Sequence, residues 1–169
     1  MDTMDGYKVD LKGMTVDTVS YRWLLEDGFF SAVHGPEIRQ GTLDVALRVK
    51  RTHEGYDLEF QMDGSVKVEC DRCLALMDLP IHTEQVLTVR LGEDYDDDGE
   101  VIVIAECCGV IDLAWHMYEM AALQIPIRHV HPEGECDAAV MARLRPDEPK
   151  VADPRWAALA KLKNNSNQI

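Results

Sequence analysis

The stretch Gly41–Val68, GTLDVALRVKRTHEGYDLEFQMDGSVKV, decides the fold class. From Gly41 the residue types alternate. Leu43, Val45, Leu47 and Val49 share one face, while Asp44, Arg48 and Lys50 fall mainly on the other. Successive side chains of a strand point to opposite faces, so this period of two describes a strand buried on one side. His53-Glu54-Gly55 reads as a turn, and Tyr56, Leu58, Phe60 and Met62 alternate again beyond it. Two such runs joined by a short turn form a β-hairpin. Asp63-Gly64 reads as a second turn, after which Val66 and Val68 lead into Cys70.

Outward from the hairpin, Leu79–Leu91 reads as a long strand that begins after Pro80 and continues through Ile81, Thr83 and Val86. Glu93–Glu100 holds six acids in eight residues and reads as an exposed loop, and Val101–Ala105 suits a short strand. Before the hairpin, Tyr21–Phe30 carries Trp23, Leu24, Leu25, Phe29 and Phe30, apolar bulk without a clean period. Beyond residue 110 the pattern turns helical. Asp112 reads as an N-cap, Leu113, Met117, Met120 and Ala121 recur at helical spacing, and Pro126 ends the segment. Cys136–Leu144 reads as a short second helix.

These elements predict an α+β fold. An antiparallel, strongly twisted sheet or partly open barrel spans residues 41 to 105, with helices packed on it from 111 onward. Leu47, Val49, Leu58, Phe60, Val66, Val68, Val89 and Met117 are the expected core. Residues 1–144 form one domain, residues 145–152 with their two prolines a linker, and residues 153–163 a C-terminal helix. That helix starts at Asp153-Pro154 and carries Trp156, Leu159 and Leu162 as its apolar stripe, before a frayed tail over 164–169.

The 169 residues suffice for a sizeable core, and 46% hydrophobic with 28% charged residues reads as globular. A net charge of −14 excludes a uniformly basic nucleic-acid surface, so any RNA contact needs a local basic patch or a protein partner. Met1–Asp10 is acidic and polar, unlike a secretory signal, and no window reaches the roughly 20 apolar residues of a membrane span. The cytoplasm is the expected location. Five cysteines then read as thiols or metal ligands rather than a disulfide framework.

Cys70-Asp71-Arg72-Cys73 is the sharpest local motif, since two cysteines separated by two residues at a turn can hold one zinc ion tetrahedrally. A closed site needs two more ligands, and His129, His131 and Cys136 are the downstream candidates. The expected set is Cys70, Cys73, His131 and Cys136, and the plain alternative is a pair of thiols packed at a strand end. A thioredoxin-like use of the same motif requires a helix N-terminus after the first cysteine, and here the chain leads into a strand. Cys107-Cys108, at the end of an apolar strand, read as buried small side chains. The acid run lacks the ligand pattern of a calcium loop. Arg48, Lys50, Arg51, Lys67, Arg72 and Arg90 gather on the β segment, either as a positive patch for RNA phosphate or an acidic partner, or as a face paired with neighbouring acids. Phosphate-loop, dinucleotide and serine-hydrolase signatures are missing, and no catalytic residue is assigned.

The order of these features resembles the YceD family. The matching pieces are Phe29-Phe30, Glu37–Gly41, Gly64–Leu74 (GSVKVECDRCL), the acid-rich loop, Ile111–Pro126 (IDLAWHMYEMAALQIP), Ile127–Cys136 (IRHVHPEGEC) and Asp153–Lys163 (DPRWAALAKLK). The HVHP and DPRW pieces look like the form of the family found in Bacteroidetes-type bacteria. The resemblance implies a non-catalytic role in large-subunit ribosomal RNA accumulation, with a ribosomal protein, the RNA or a precursor particle as partner. It implies no membrane and no small-molecule substrate. Better-known members often carry a second cysteine pair after the helix, whereas this chain has only Cys136 there, near His129 and His131. Two other functions stay open at this point: a small zinc-binding structural module with an unrelated partner, and a CxxC thiol oxidoreductase.

Overall fold

The structure, a computed structural model, describes residues 5–97 and 101–144. Its centre is a six-stranded sheet built on the hairpin named above. After a 3-10 turn at Asp5–Tyr7, the chain forms β1 (Lys8–Asp10), β2 (Thr18–Leu25), α1 (Asp27–Val33), β3 (Gln40–Arg51), β4 (Tyr56–Glu69) and β5 (Leu76–Gly92). β6 (Asp96–Asp97), β7 (Val101–Ala105), β8 (Val110–Asp112), α2 (Ala114–Ala122) and α3 (Ala138–Leu144) follow. The large sheet has the order β2-β3-β4-β5-β7-β6, and β1 pairs separately with β8. All pairings are antiparallel except β5 with β7, and the sheet is not closed into a barrel.

Alternation dictates the buried face. Leu43, Val45, Leu47 and Val49 of β3 lie beside Leu58, Phe60, Met62, Val66 and Val68 of β4, and every one of them is buried. Ile81 and Val89 of β5 and Ile102 and Ile104 of β7 extend the layer. Burying each such side chain contributes about 1.5–3 kcal/mol. All eight expected core residues are in this cluster, Met117 from the helical side. The helices cover the same face: Phe29 and Phe30 of α1 and Met117, Tyr118, Met120 and Ala121 of α2 are buried. Tyr118 fixes the intervening loop, because its hydroxyl accepts the Glu37 and Ile38 N–H groups at 2.8 and 3.1 Å. Gly35 lies against its ring, where an added Cβ would come within 1.9 Å of a ring carbon.

Two expected breaks are absent. Asp63-Gly64 is no turn, since β4 runs through it unbroken and Gly64 pairs with Leu43 on one side and Ile81 on the other. Glycine is needed there for close approach: φ is 153° and a Cβ would meet the Thr42 carbonyl oxygen at 2.1 Å. Pro80 lies within β5 rather than ahead of it. It sits where β5 pairs with β4 alone, because β7 joins only from Thr88, and a residue without an N–H is tolerated on a one-sided stretch. Within the acid run, Asp96 and Asp97 form the short edge strand β6 against β7.

At α2 the N-cap is Leu113 and not the expected Asp112, which ends β8 one residue earlier, although the Asp112 side chain accepts the Ala114 N–H at 3.0 Å. The helix ends at Ala122, four residues before Pro126. The chain divides into two compact units, the first ending at His131 and the second beginning at Pro132. The described part of the second holds α3, whose start is capped by Asp137, accepting the Ala139 and Val140 N–H groups at 2.9 Å each. The expected linker and C-terminal helix lie outside the described residues. Among the described residues no helix is long and apolar enough to cross a membrane.

Candidate metal centre

The CxxC motif is the turn of the β4–β5 hairpin. Cys70 follows the last residue of β4, and the chain re-enters β5 at Leu76. The Cys70 N–H donates to the Ala75 carbonyl at 2.9 Å and the Leu74 N–H to the Cys70 carbonyl at 2.8 Å, which closes the loop. Leu74 carries the reversal, with φ of 61°. A bulky residue in the left-handed region costs about 1–2 kcal/mol relative to its ordinary conformations. Leu74 is nonetheless 72% exposed, so its side chain gains little from burial in the fold itself.

The turn aims backbone donors at one sulfur. The N–H groups of Arg72 and His131 each lie 3.4 Å from the Cys70 Sγ. Both thiols are buried, Cys70 completely. Burial alone would resist ionisation of Cys70. The donated hydrogen bonds from His131, Arg72 and Cys73 overcome that resistance and hold the thiol at about 5, so it is a thiolate at neutral pH. The His131 imidazole is correspondingly pushed up, chiefly by its contact with Cys70, against desolvation. Its Nδ1 lies 3.4 Å from the Cys73 Sγ. The ligand atoms of Cys70, Cys73 and His131 all lie within 4.8 Å of one another. Tetrahedral zinc with sulfur at about 2.3 Å and nitrogen at about 2.0 Å separates its ligands by roughly 3.5–3.8 Å. The donor set and its spacing therefore fit a zinc-like ion after a small contraction, and the backbone donors on Cys70 would stabilise its charge.

The segment carrying His131 is tied to this turn by a reciprocal pair. The Asp71 N–H donates to the His129 carbonyl at 3.0 Å, and the His129 N–H donates to the Asp71 carboxylate at 2.8 Å. The His129 ring turns away from the thiols, with Nδ1 3.0 Å from the Pro126 carbonyl and Nε2 3.7 Å from Asp71. His129, one of the downstream ligand candidates, is thus a brace, and His131 is the histidine that faces the sulfurs. Cys136 is buried in the second unit, just ahead of the Asp137 cap. The role of Asp71 was not legible in sequence: it is one of two polar residues between the cysteines, and only the backbone direction decides which one reaches His129.

The thioredoxin-like arrangement requires a helix after the first cysteine, whereas here a hairpin turn follows. Cys70, the ionised thiol, has no exposed surface from which to attack a disulfide. Cys107 and Cys108, expected to be buried, are exposed instead. β7 stops at Ala105 and the chain turns through residues 106–108 into β8, so the apolar run does not carry these two inward.

The basic residues of the β segment are interleaved with acids. Arg48 lies 3.7 Å from Glu59, which also pairs with Lys50. Lys67 pairs with Asp78 at 2.9 Å, and Arg90 with Glu54. Arg51 donates to the Met14 carbonyl and stacks over Tyr56. Arg72 sits in the CxxC turn. The cross-strand register explains the pairing, because it sets Arg48 opposite Glu59 and Lys67 opposite Asp78.

Comparison with known proteins adds a family. The model of a family described as large ribosomal RNA subunit accumulation protein YceD matches residues 58–163, more than half of the chain. The match takes in β4 from Leu58 onward, the CxxC turn, β5, α2 and the His131 segment. No curated protein and no solved structure matches.

Proposed function

The chain belongs to the YceD family, and from that premise we propose that it is a non-catalytic, cytoplasmic factor that supports accumulation of large-subunit ribosomal RNA by binding a ribosomal protein or the RNA of a precursor particle. The family match over residues 58–163 carries this reading, and the family is named for accumulation of an RNA rather than for a reaction. The Cys70–Cys73 turn has a structural part in it. Cys70, Cys73 and His131 supply three donors for one zinc ion, and Cys136, five residues after His131 in the sequence, is the fourth ligand this reading assigns from the sequence. Three thiolates and one imidazole make a closed structural site with no open position for a substrate.

The test is the ratio of large- to small-subunit ribosomal RNA in cells lacking this protein, during rapid growth and in the cold. A selective fall of the large-subunit species, restored by the wild-type gene, is expected. An unchanged ratio under both conditions overturns the reading and leaves a zinc-bound structural module with another partner. Salt distinguishes the two partner classes. Contact of Arg48, Lys50, Arg51, Lys67, Arg72 and Arg90 with phosphate would make affinity fall steeply with ionic strength. Because acids pair with several of these side chains, we expect a slope of log K against log salt shallower than about −2.

A further inference from the structure

Five of the eleven large apolar residues exposed among the described residues gather in two adjoining clefts. Trp115, Leu123 and Ile127 line one cleft of about 430 Å³ beside the end of α2. Leu74 and Leu76 line a second, of about 330 Å³, beside the CxxC turn. The two clefts share the walls Pro36, Glu37, Ile125 and His129, so they form one continuous face. Single exposed apolar residues are ordinary, whereas a contiguous group with a polar rim marks a binding surface. Leu123 is 72% exposed and Ile127 fully so. Leu74 stands at φ 61°, a conformation glycine adopts without strain, and its side chain lines the cleft.

The rim identifies the chemistry of the occupant. Glu37 and Glu119 border the first cleft, and Glu37 and Glu69 the second. None of these three carboxylates has an ion pair among the described residues. Lys67 is already paired with Asp78, which leaves Arg39 as the Lys or Arg lining the clefts that has no ion pair among the described residues. The chain as a whole carries −14. A phosphate backbone would meet these acids at close range, whereas a basic chain would find complementary charge around an apolar centre.

We propose that this face docks a basic protein segment that presents two or more large apolar side chains flanked by lysine or arginine, with Leu74, Trp115, Leu123 and Ile127 as its contacts. The inference rests on the reading that the chain works by binding a partner. It can fail separately, since ribosomal RNA levels in cells test that reading and the following titration tests the surface.

The probe is a labelled amphipathic peptide of leucine and lysine, titrated with the full-length chain beside oligolysine of the same charge. The decisive variant is Leu123→Glu with Ile127→Glu, which adds negative charge to the face. Docking in the apolar cleft predicts that peptide affinity falls by about tenfold or more while oligolysine binding holds or tightens. Leu74→Gly relieves the backbone, so it should leave the melting temperature level or higher and still weaken the peptide. Unchanged or tighter peptide binding by the double variant overturns the proposal, because attraction would then be charge alone. It is also overturned if single-stranded RNA of equal length binds more tightly than the peptide and is lost in the same variant. A wild-type dimer that becomes monomeric in the double variant overturns it too, by assigning the face to a second copy.

Discussion

At Cys70 the molecule holds an ionised sulfur with no access to water, and three backbone N–H groups bear its charge. A hydroxyl cannot replace that sulfur as a ligand. Cys70→Ser should therefore lower bound zinc from one per chain to near none and destabilise the protein by at least about 2 kcal/mol, as read by metal analysis and urea denaturation. His129→Ala is the informative contrast. It removes a brace, not a ligand, so zinc should still bind at saturation but with affinity reduced about 10–100-fold. Equal loss in the two variants would show that the His129 ring is itself a donor. A second residue-scale prediction concerns His82, whose imidazole is raised above the ordinary 6.5, chiefly by its hydrogen bond with Asp63. The protonated form is favoured in the folded state. The stability it contributes is present below the unfolded value and disappears as pH rises through the folded one. Titration by NMR should place His82 above 6.5, and Asp63→Asn should move it back. The stability change should be small, because both side chains are exposed.

Among the elements, β4 bears the most constraint, with β5 along its whole length on one side and β3 along Tyr56–Lys67 on the other. Its weakest substitution point is Gly64. A Cβ there would strike the Thr42 carbonyl at 2.1 Å from backbone on the adjacent strand, which no rotamer can avoid. Gly64→Ala should cost about 2–4 kcal/mol in urea denaturation, against little for the same change at Gly28, where an added Cβ meets nothing within 4 Å. Glycine beside aspartate is the commonest turn signal, which is why Asp63-Gly64 reads as a turn. The competing need, two backbones at close range, leaves the same residue type in sequence. Pro80 is the mirror case: proline ordinarily bounds a strand, and the one-sided stretch of β5 admits it inside one.

At the scale of the molecule, the sheet core and the metal centre are separable. The core runs along the buried face of β3, β4, β5 and β7, while the thiols sit at the far turn of the β4–β5 hairpin. Removing zinc should consequently leave the β-sheet circular dichroism in place while hydrogen exchange quickens at the Cys70 and Leu74 amides, whose bonds close the turn. Loss of the whole sheet signal on chelation would show that the metal supports the fold as a unit.

Alternation over Leu43–Met62 was enough to determine the hairpin, its buried face and four of the eight expected core residues, Leu47, Val49, Leu58 and Phe60, because burial of one strand face imposes a period of two whatever the rest of the chain does. The CxxC spacing likewise determined a candidate zinc turn, since two thiols two residues apart can share one ion without help from elsewhere. Tertiary structure alone decided that His131 and not His129 faces the sulfurs, because both lie in one short segment and only its hydrogen bonds to Asp71 set which ring points inward. It alone exposed Cys107 and Cys108, paired acids with several of the basic side chains, and drew Trp115, Leu123, Ile127 and Leu74 from separate elements onto one face. Those outcomes depend on strand register and on where the chain reverses, and local residue type does not encode either.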